Sequence, residues 1–226
     1  MHIGEYQTDF SVLLPYMPQL GQGALLTLWI SVLSLLLSFP LGLGGSLLRR
    51  SPNRLLRGLT AAYVEIFRNI PIIVVLYLLF FVLPANGVPL TGWQAGVLGL
   101  TLNSTAFVIE ICRGGLSAIP AGQYEAAQAL SLSRSKTFSK VILPQLLRVV
   151  FPSLGNQVVM VVLGSAQASI IGVAELTYRT QSIGSVVFRY FEVFLVAALF
   201  YIICVQLINL IWRLLGKRLV KEIVMR

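Results

Sequence analysis

Five runs of apolar residues dominate the chain: about Ala24 to Leu48, Leu59 to Leu83, Trp93 to Ile111, Val149 to Gly172 and Phe191 to Leu215. A helix needs about 20 mostly apolar residues to cross the ~30 Å of hydrocarbon in a bilayer. Each run is near or above that length, and charged residues make up only 11% of the 226, against roughly 25% in soluble domains. The expectation is an all-α integral membrane protein with about five transmembrane helices. The first 20 residues carry no Lys or Arg, so they lack the positive region that opens a cleavable signal peptide.

The net charge of +9 sorts by side of the membrane. Arg49, Arg50, Arg54 and Arg57 follow the first run. Arg113, Arg134, Lys136, Lys140 and Arg148 lie between the third and fourth, and Arg213, Lys217, Arg218, Lys221 and Arg226 follow the fifth. Only Arg179 and Arg189 fall on the other side, with Arg68 inside or at the edge of the second run. By the positive-inside rule the N-terminus is expected outside and the C-terminus in the cytoplasm, which an odd number of spans fits. A nucleic-acid interface would gather its cations on one face with interleaved aromatics, so no nucleic-acid partner is expected. Cys112 and Cys204 show neither CxxC spacing nor a neighbouring His, and the one histidine is His2. No metal site, redox pair or catalytic triad can be assembled, and the chain is not read as an enzyme.

The organisation expected is an external leader over 1–23, a transmembrane domain over 24–215 with a cytoplasmic insert at about 114–147, and a cytoplasmic basic tail over 216–226. In the first span Ser34, Ser38, Gly42 and Ser46 recur every four residues. Such a stripe of small residues lets another helix or subunit approach closely. Arg68-Asn69-Ile70-Pro71 interrupts the second run, since Pro71 cannot donate a helix hydrogen bond. Pro84 to Pro89 reads as an external turn, and Glu175 to Tyr190 as an external segment.

The insert contains Glu125-Ala126-Ala127, then Leu130 and Ser131, and ends in Leu143-Pro144-Gln145. Pro120 and Gly122 punctuate its start, and helix formers fill Glu125 to Leu132. A connection of this length without structure is uncommon, so a short exposed helix is expected. These residues resemble the EAA signature of ABC importer permeases. Arg68-Asn69-Ile70-Pro71, Glu110-Ile111-Cys112-Arg113-Gly114-Gly115 and Gly122-Gln123 appear in the order seen in the polar amino-acid permeases, such as those for histidine, glutamate, glutamine or arginine. The resemblance runs from Ala24 to about Leu215. Two departures stand out: the Gly of the signature is Ser131 here, and where relatives commonly carry Lys-Asp-Thr-Ser-Leu this chain has Leu163-Gly164-Ser165-Ala166-Gln167.

The resemblance implies a type I ABC importer permease in a bacterial plasma (inner) membrane, importing a polar amino acid by alternating access. Glu125, Ala126, Ala127, Leu130, Ser131 and Pro144 would couple it to a separate ATPase. No GxxxxGK[ST] phosphate loop occurs in the chain, so it needs no cofactor of its own, and ATP and Mg would sit on that ATPase dimer. A second permease subunit, identical or similar, and an extracytoplasmic amino-acid-binding protein docking around Glu175 to Arg189 complete the implied set of partners, with the lipid bilayer around them. Substrate-pathway candidates are Asn103, Ser104 and Thr105 in span three and Ser165, Gln167 and Ser169 in span four; bridging between helices is an equal alternative for them. Glu110 with Arg113, and Glu65 with Arg68, are candidate gate or structural charge pairs. The missing acid at Gly164 tilts the substrate toward neutral or acidic amino acids. An ion-coupled secondary amino-acid transporter is the alternative; it would show inverted repeats and midplane charges.

Overall fold

The computed structural model describes the backbone of residues 7–224 and the side chains of residues 7–217. His2, Glu5, Tyr6 and the tail cations Arg218, Lys221 and Arg226 have side chains outside that range. Every element among the described residues is helical. A 3-10 turn, Ser11–Tyr16, leads into α1, Met17–Leu48. Then come α2, Arg54–Asn69, and α3, Ile72–Ala85, with a π turn at Leu78–Val82. The long α4 is Gly92–Ala118 and the short α5 is Ala121–Ala129. Helix α6 runs Arg134–Ile171, opening through a π segment at Thr137–Ile142 and closing as a 3-10 turn at Ser165–Ile171. Last are α7, Leu176–Val187, and α8, Tyr190–Val224.

Four of these, including α1 with its leading turn, are single helices long and apolar enough to span a membrane; α2 and α3 meet the same measure only as a pair, bent by 106°, which gives four to five candidate spans. The bend sits where the sequence places its interruption. Ile70 precedes a proline, which disfavours the helical region, and Ile70 and Pro71 are extended at φ −92° and −56°. The second run is therefore two half-helices meeting at an angle.

The leader is shorter than the sequence suggests. Pro15 falls inside the 3-10 turn and Pro18 in the first turn of α1, where a missing N–H costs nothing. Leu13 and Leu20 are fully buried, so the membrane domain begins well before residue 24. The chain ahead of them is tied down: Arg189 donates to Gln7 O at 2.6 Å and to Glu192 at 3.3 Å, and the Asp9 N–H donates to Glu192 at 3.1 Å. At the other end α8 continues through Leu215 without a break as far as Val224, so the expected tail begins as helix.

Helix α4 is the central pillar, buried along most of its length. The small-residue stripe of α1 packs on it. A Cβ on Gly42 would run into Val108, and one on Gly45 would lie 2.6 Å from Ile109 Cδ1. Ser34 donates to Val97 O at 3.3 Å, and Ser104 donates to Ser38 at 3.1 Å. Close backbone approach and cross-helix hydroxyl bonds are how helices associate in lipid, where apolar burial alone gives no preference for a neighbour. Helix α8 is the least buried of the long apolar helices, its outer surface lined by Leu199, Ile202, Ile203 and Leu210.

Candidate functional site

The 106° bend opens a cavity of about 400 Å³ between α2, α3, α4 and α6. Its polar wall is Arg68, Asn103, Gln157 and Gln167, its apolar wall includes Ile72, Leu100, Phe107 and Val161, and among the described residues no carboxylate lines it. Arg68 occupies the last turn of α2, where a cation complements the helix dipole. Its guanidinium lies over the Phe107 ring, 5.4 Å from the centroid. Asn103 donates to Phe67 O at 2.8 Å, which satisfies one of the carbonyls freed by the break and leaves the amide oxygen available. Gln157 donates to Ser104 Oγ at 3.2 Å, and Ser104 donates in turn to Ser38. That relay fixes the Gln157 carboxamide against both α4 and α1.

Of the six pathway candidates read from the sequence, Asn103 and Gln167 line this cavity. Ser104 supports it from behind through Gln157. Thr105 is buried on another face of α4 and does not line the cavity. Ser165 and Ser169 turn their hydroxyls back to Val162 O and Ala166 O, at 2.8 and 2.7 Å, inside the 3-10 turn. Consecutive helix positions point about 100° apart, so a polar triplet cannot all face one cavity. Gln157, Met160 and Phe107 are lining residues that the polar patches did not reveal. Gln157, Gly164 and Gln167 are spaced seven and three apart, which puts them on one helical face; that spacing is the signal that could have found Gln157. Gly164 stands in the wall, and a Cβ there would meet only Leu100 at an ordinary 3.7 Å.

The charged residues separate into distinct roles. Arg113 grips Glu110 through Nε and Nη2 at 2.8 to 3.0 Å, and Arg49, at the end of α1, approaches the same carboxylate at 3.7 Å. Glu65 does not take Arg68. Its carboxylate accepts from Asn69 at 2.9 Å, while Arg68 turns toward the cavity and Phe107. The Asn69 side chain folds back over the last turn of α2 and also donates to Glu65 O at 2.8 Å.

At the end of the molecule where α4 stops, α5 stands out with a single buried residue, Ala127. Glu125 and Ala126 are exposed, and Leu130 is 74% exposed. Ser131 adopts φ +54°. The Ser131 N–H donates to Gln128 O at 2.8 Å and the Leu132 N–H donates to Ala127 O at 3.0 Å, which is the pair of bonds of a Schellman helix end. A serine thus holds the left-handed geometry that glycine usually supplies. Gln145 donates to Gln123 at 2.9 Å and Arg50 to the Tyr124 hydroxyl at 3.4 Å, so α5 is tied to α6 and α1. Pro144, which lacks an N–H, follows the π segment in which the Leu143 N–H reaches five residues back to Phe138 O.

The segment read as external, Glu175 to Tyr190, is largely α7, and Glu175 is fully buried. Its carboxylate accepts from the Tyr178 N–H at 2.8 Å, the Tyr201 hydroxyl at 2.9 Å and the Thr27 hydroxyl at 3.3 Å. Burial pushes its pKa above the usual glutamate value, against those donors, which lower it. As the N-cap of α7 it joins α1, α7 and α8, and it is not available to a docking partner.

A protein-family model described as "Binding-protein-dependent transport system inner membrane component" matches residues 38–221. The glutamine transport system permease protein GlnP of Escherichia coli is 36% identical over 215 residues, covering 94% of this chain and 98% of its own. A crystal structure of an amino acid ABC transporter with histidines has a chain 32% identical, with a TM-score of 0.85, covering 94% of this chain and 99% of that one. The MetNI methionine ABC transporter, in an inward-facing conformation, shares the fold at 24% identity and a TM-score of 0.74, over 93% of this chain and 98% of that one.

Proposed function

The chain belongs to the family of inner-membrane components of binding-protein-dependent transport systems, and from that premise we propose that it imports a polar amino acid of the glutamine type. It is a multi-pass permease of the inner membrane. The observation that carries the substrate reading is the wall of the cavity: one guanidinium, three carboxamides and no carboxylate. Arg68 would pair with the α-carboxylate through a charge-assisted, bidentate contact. The oxygens of Asn103, Gln157 and Gln167 would receive the ammonium and the side-chain amide. A cationic side chain would find no counter-charge, and the lining therefore favours neutral over basic amino acids.

Met160 and Arg68 are exposed at the cavity's open side, which a second permease subunit would close. Helix α5 would dock into a separate ATPase dimer carrying ATP and Mg, with Glu125, Ala126 and the protruding Leu130 as the contacting face. Ala127, Ser131 and Pro144 would hold that face in shape. ATP binding and hydrolysis would then move α5, and α1, α4 and α6 with it, to expose the cavity alternately to each side. The excess of Arg and Lys at the α5 end would put that end in the cytoplasm and the N-terminus outside. An extracytoplasmic binding protein would meet the opposite face.

The test is uptake by proteoliposomes holding the chain, its ATPase and its binding protein, with a panel of labelled amino acids. Glutamine should enter only with MgATP and regardless of ionophores. Uptake driven by an ion gradient without ATP would sink the reading.

A further inference from the structure

A second cavity is chemically unlike the first. About 280 Å³ in volume, it is walled entirely by apolar and sulfur side chains around the α1 proline, among them Phe39, Pro40, Cys112, Leu147, Phe151 and Trp212. That volume approaches the lower bound of about 300 Å³ for small-ligand sites. The one strong donor in the wall is already used: Trp212 Nε1 donates to Phe151 O at 3.3 Å, and the two rings stack 4.4 Å apart. Nothing polar remains to recognise a substrate or hold a water. An apolar cavity of this kind stays dry and accepts an apolar guest.

Its position narrows the guest. Pro40 is exposed and Leu147 half-buried, so the cavity opens to the outer surface of the helices. Pro40 lies eight residues before the end of α1, about 12 Å below that helix end at 1.5 Å per residue. That is acyl-chain depth. The residues following the wall are cations: exposed Arg148 after Leu147, and exposed Arg213 after Trp212. Farther along α8, Lys217 closes a surface groove formed by Ile211, Leu214 and Leu215. An apolar slot with exposed cations next along α6 and α8, at the end of the molecule that carries α5, matches a lipid with an anionic head.

We infer that this cavity between α1, α4, α6 and α8 is a specific site for an anionic phospholipid of the leaflet on the α5 side, one acyl chain inside and the phosphate among Arg148, Arg213 and Lys217. The site is separate from the amino-acid cavity and does not depend on the substrate assigned to it. Juxtamembrane cations attract anionic headgroups one by one, while the slot selects for a chain.

The full chain, purified in mild detergent, is titrated with phosphatidylglycerol and, separately, phosphatidylcholine, with bound lipid read by native mass spectrometry. One phosphatidylglycerol should bind more tightly than any phosphatidylcholine. Arg213→Gln and Lys217→Gln should each weaken it about fivefold and leave phosphatidylcholine unchanged. Leu147→Trp, which fills the slot, should abolish the tight adduct. Should that variant fail to fold, phosphatidylglycerol with brominated acyl chains provides a second readout. It should quench fluorescence in the parent strongly and far less in Trp212→Phe, where only Trp29 and Trp93 remain. Equal binding of both lipids, an adduct that survives Leu147→Trp, quenching unchanged by Trp212→Phe, or a cross-link from Leu147→Cys to a second copy would each overturn the assignment.

Discussion

The Tyr201 hydroxyl donates to Glu175 at 2.9 Å while contacting Thr177 Oγ1 at 2.7 Å, so α8 and the start of α7 close around a fully buried acid. Thr27 completes the set from α1. Glu175→Ala would strand these donors and remove a helix cap. The expected loss is about 2–4 kcal/mol from unmade buried hydrogen bonds together with the cap, read as a drop in the thermal midpoint of the purified chain.

The pH dependence of the same residue has a defined sign. Because burial raises its folded pKa above the ordinary glutamate value, the folded state holds the proton more tightly than the unfolded chain. The contribution to stability is full below the ordinary glutamate pKa and is lost as pH rises through the raised folded value. Glu175→Gln should flatten this part of the stability profile. An unchanged profile in Glu175→Gln would mean that another group is responsible.

Ser131 supplies another prediction. A non-glycine residue in the left-handed region costs about 1–2 kcal/mol, partly offset in Ser131→Gly by glycine's greater freedom when unfolded. Ser131→Gly should therefore stabilise the chain by about 0.5–1 kcal/mol, and Ser131→Val should destabilise it. Thermal unfolding of the three proteins under one set of conditions orders them.

Gly164 is where selectivity can be rewritten. The wall has room for a side chain there, and a carboxylate would face a cavity that now holds only Arg68 as a charge. Gly164→Asp should lower glutamine uptake and raise the relative uptake of arginine or lysine, measured as competition against labelled glutamine in proteoliposomes. An unaltered competition order would place the selective contact elsewhere.

The membrane fold is readable from the sequence because it rests on composition: a run of about 20 apolar residues has few other uses. The break at Asn69 to Pro71 is equally plain, since proline chemistry is local, but its 106° angle arises from how α2 and α3 pack on α4 and leaves no trace in the residue order. The cavity is legible in part. Asn103 and Gln167 are visible as polar residues in apolar runs, yet so are Ser104, Ser165 and Ser169, which spend their hydroxyls on neighbouring backbone or side chains. Only the facing of the helix tells them apart. Arg68 is a clear anomaly in the sequence, and Glu65, three residues away, is the partner that helical spacing offers. Arg68 lies over Phe107 on α4 instead, a contact between helices that local spacing does not show. Glu175 is hidden for another reason: an acid between two apolar runs reads as a surface loop, and nothing local announces that Thr27 and Tyr201 will enclose it.

Arg68 gives the most direct measurement of the central claim, that this cavity carries an amino acid by its carboxylate. Once a second subunit closes the cavity's open side, the pair of Arg68 with a substrate carboxylate would be buried, and removing one partner of such a pair costs about 2–5 kcal/mol, or roughly thirtyfold and more in affinity or rate. ATP-dependent glutamine uptake by the reconstituted importer, measured for the parent and for Arg68→Ala with assembly and basal ATP hydrolysis monitored in parallel, should fall by at least that factor while the complex stays intact. Uptake at the parental rate in Arg68→Ala would contradict the account.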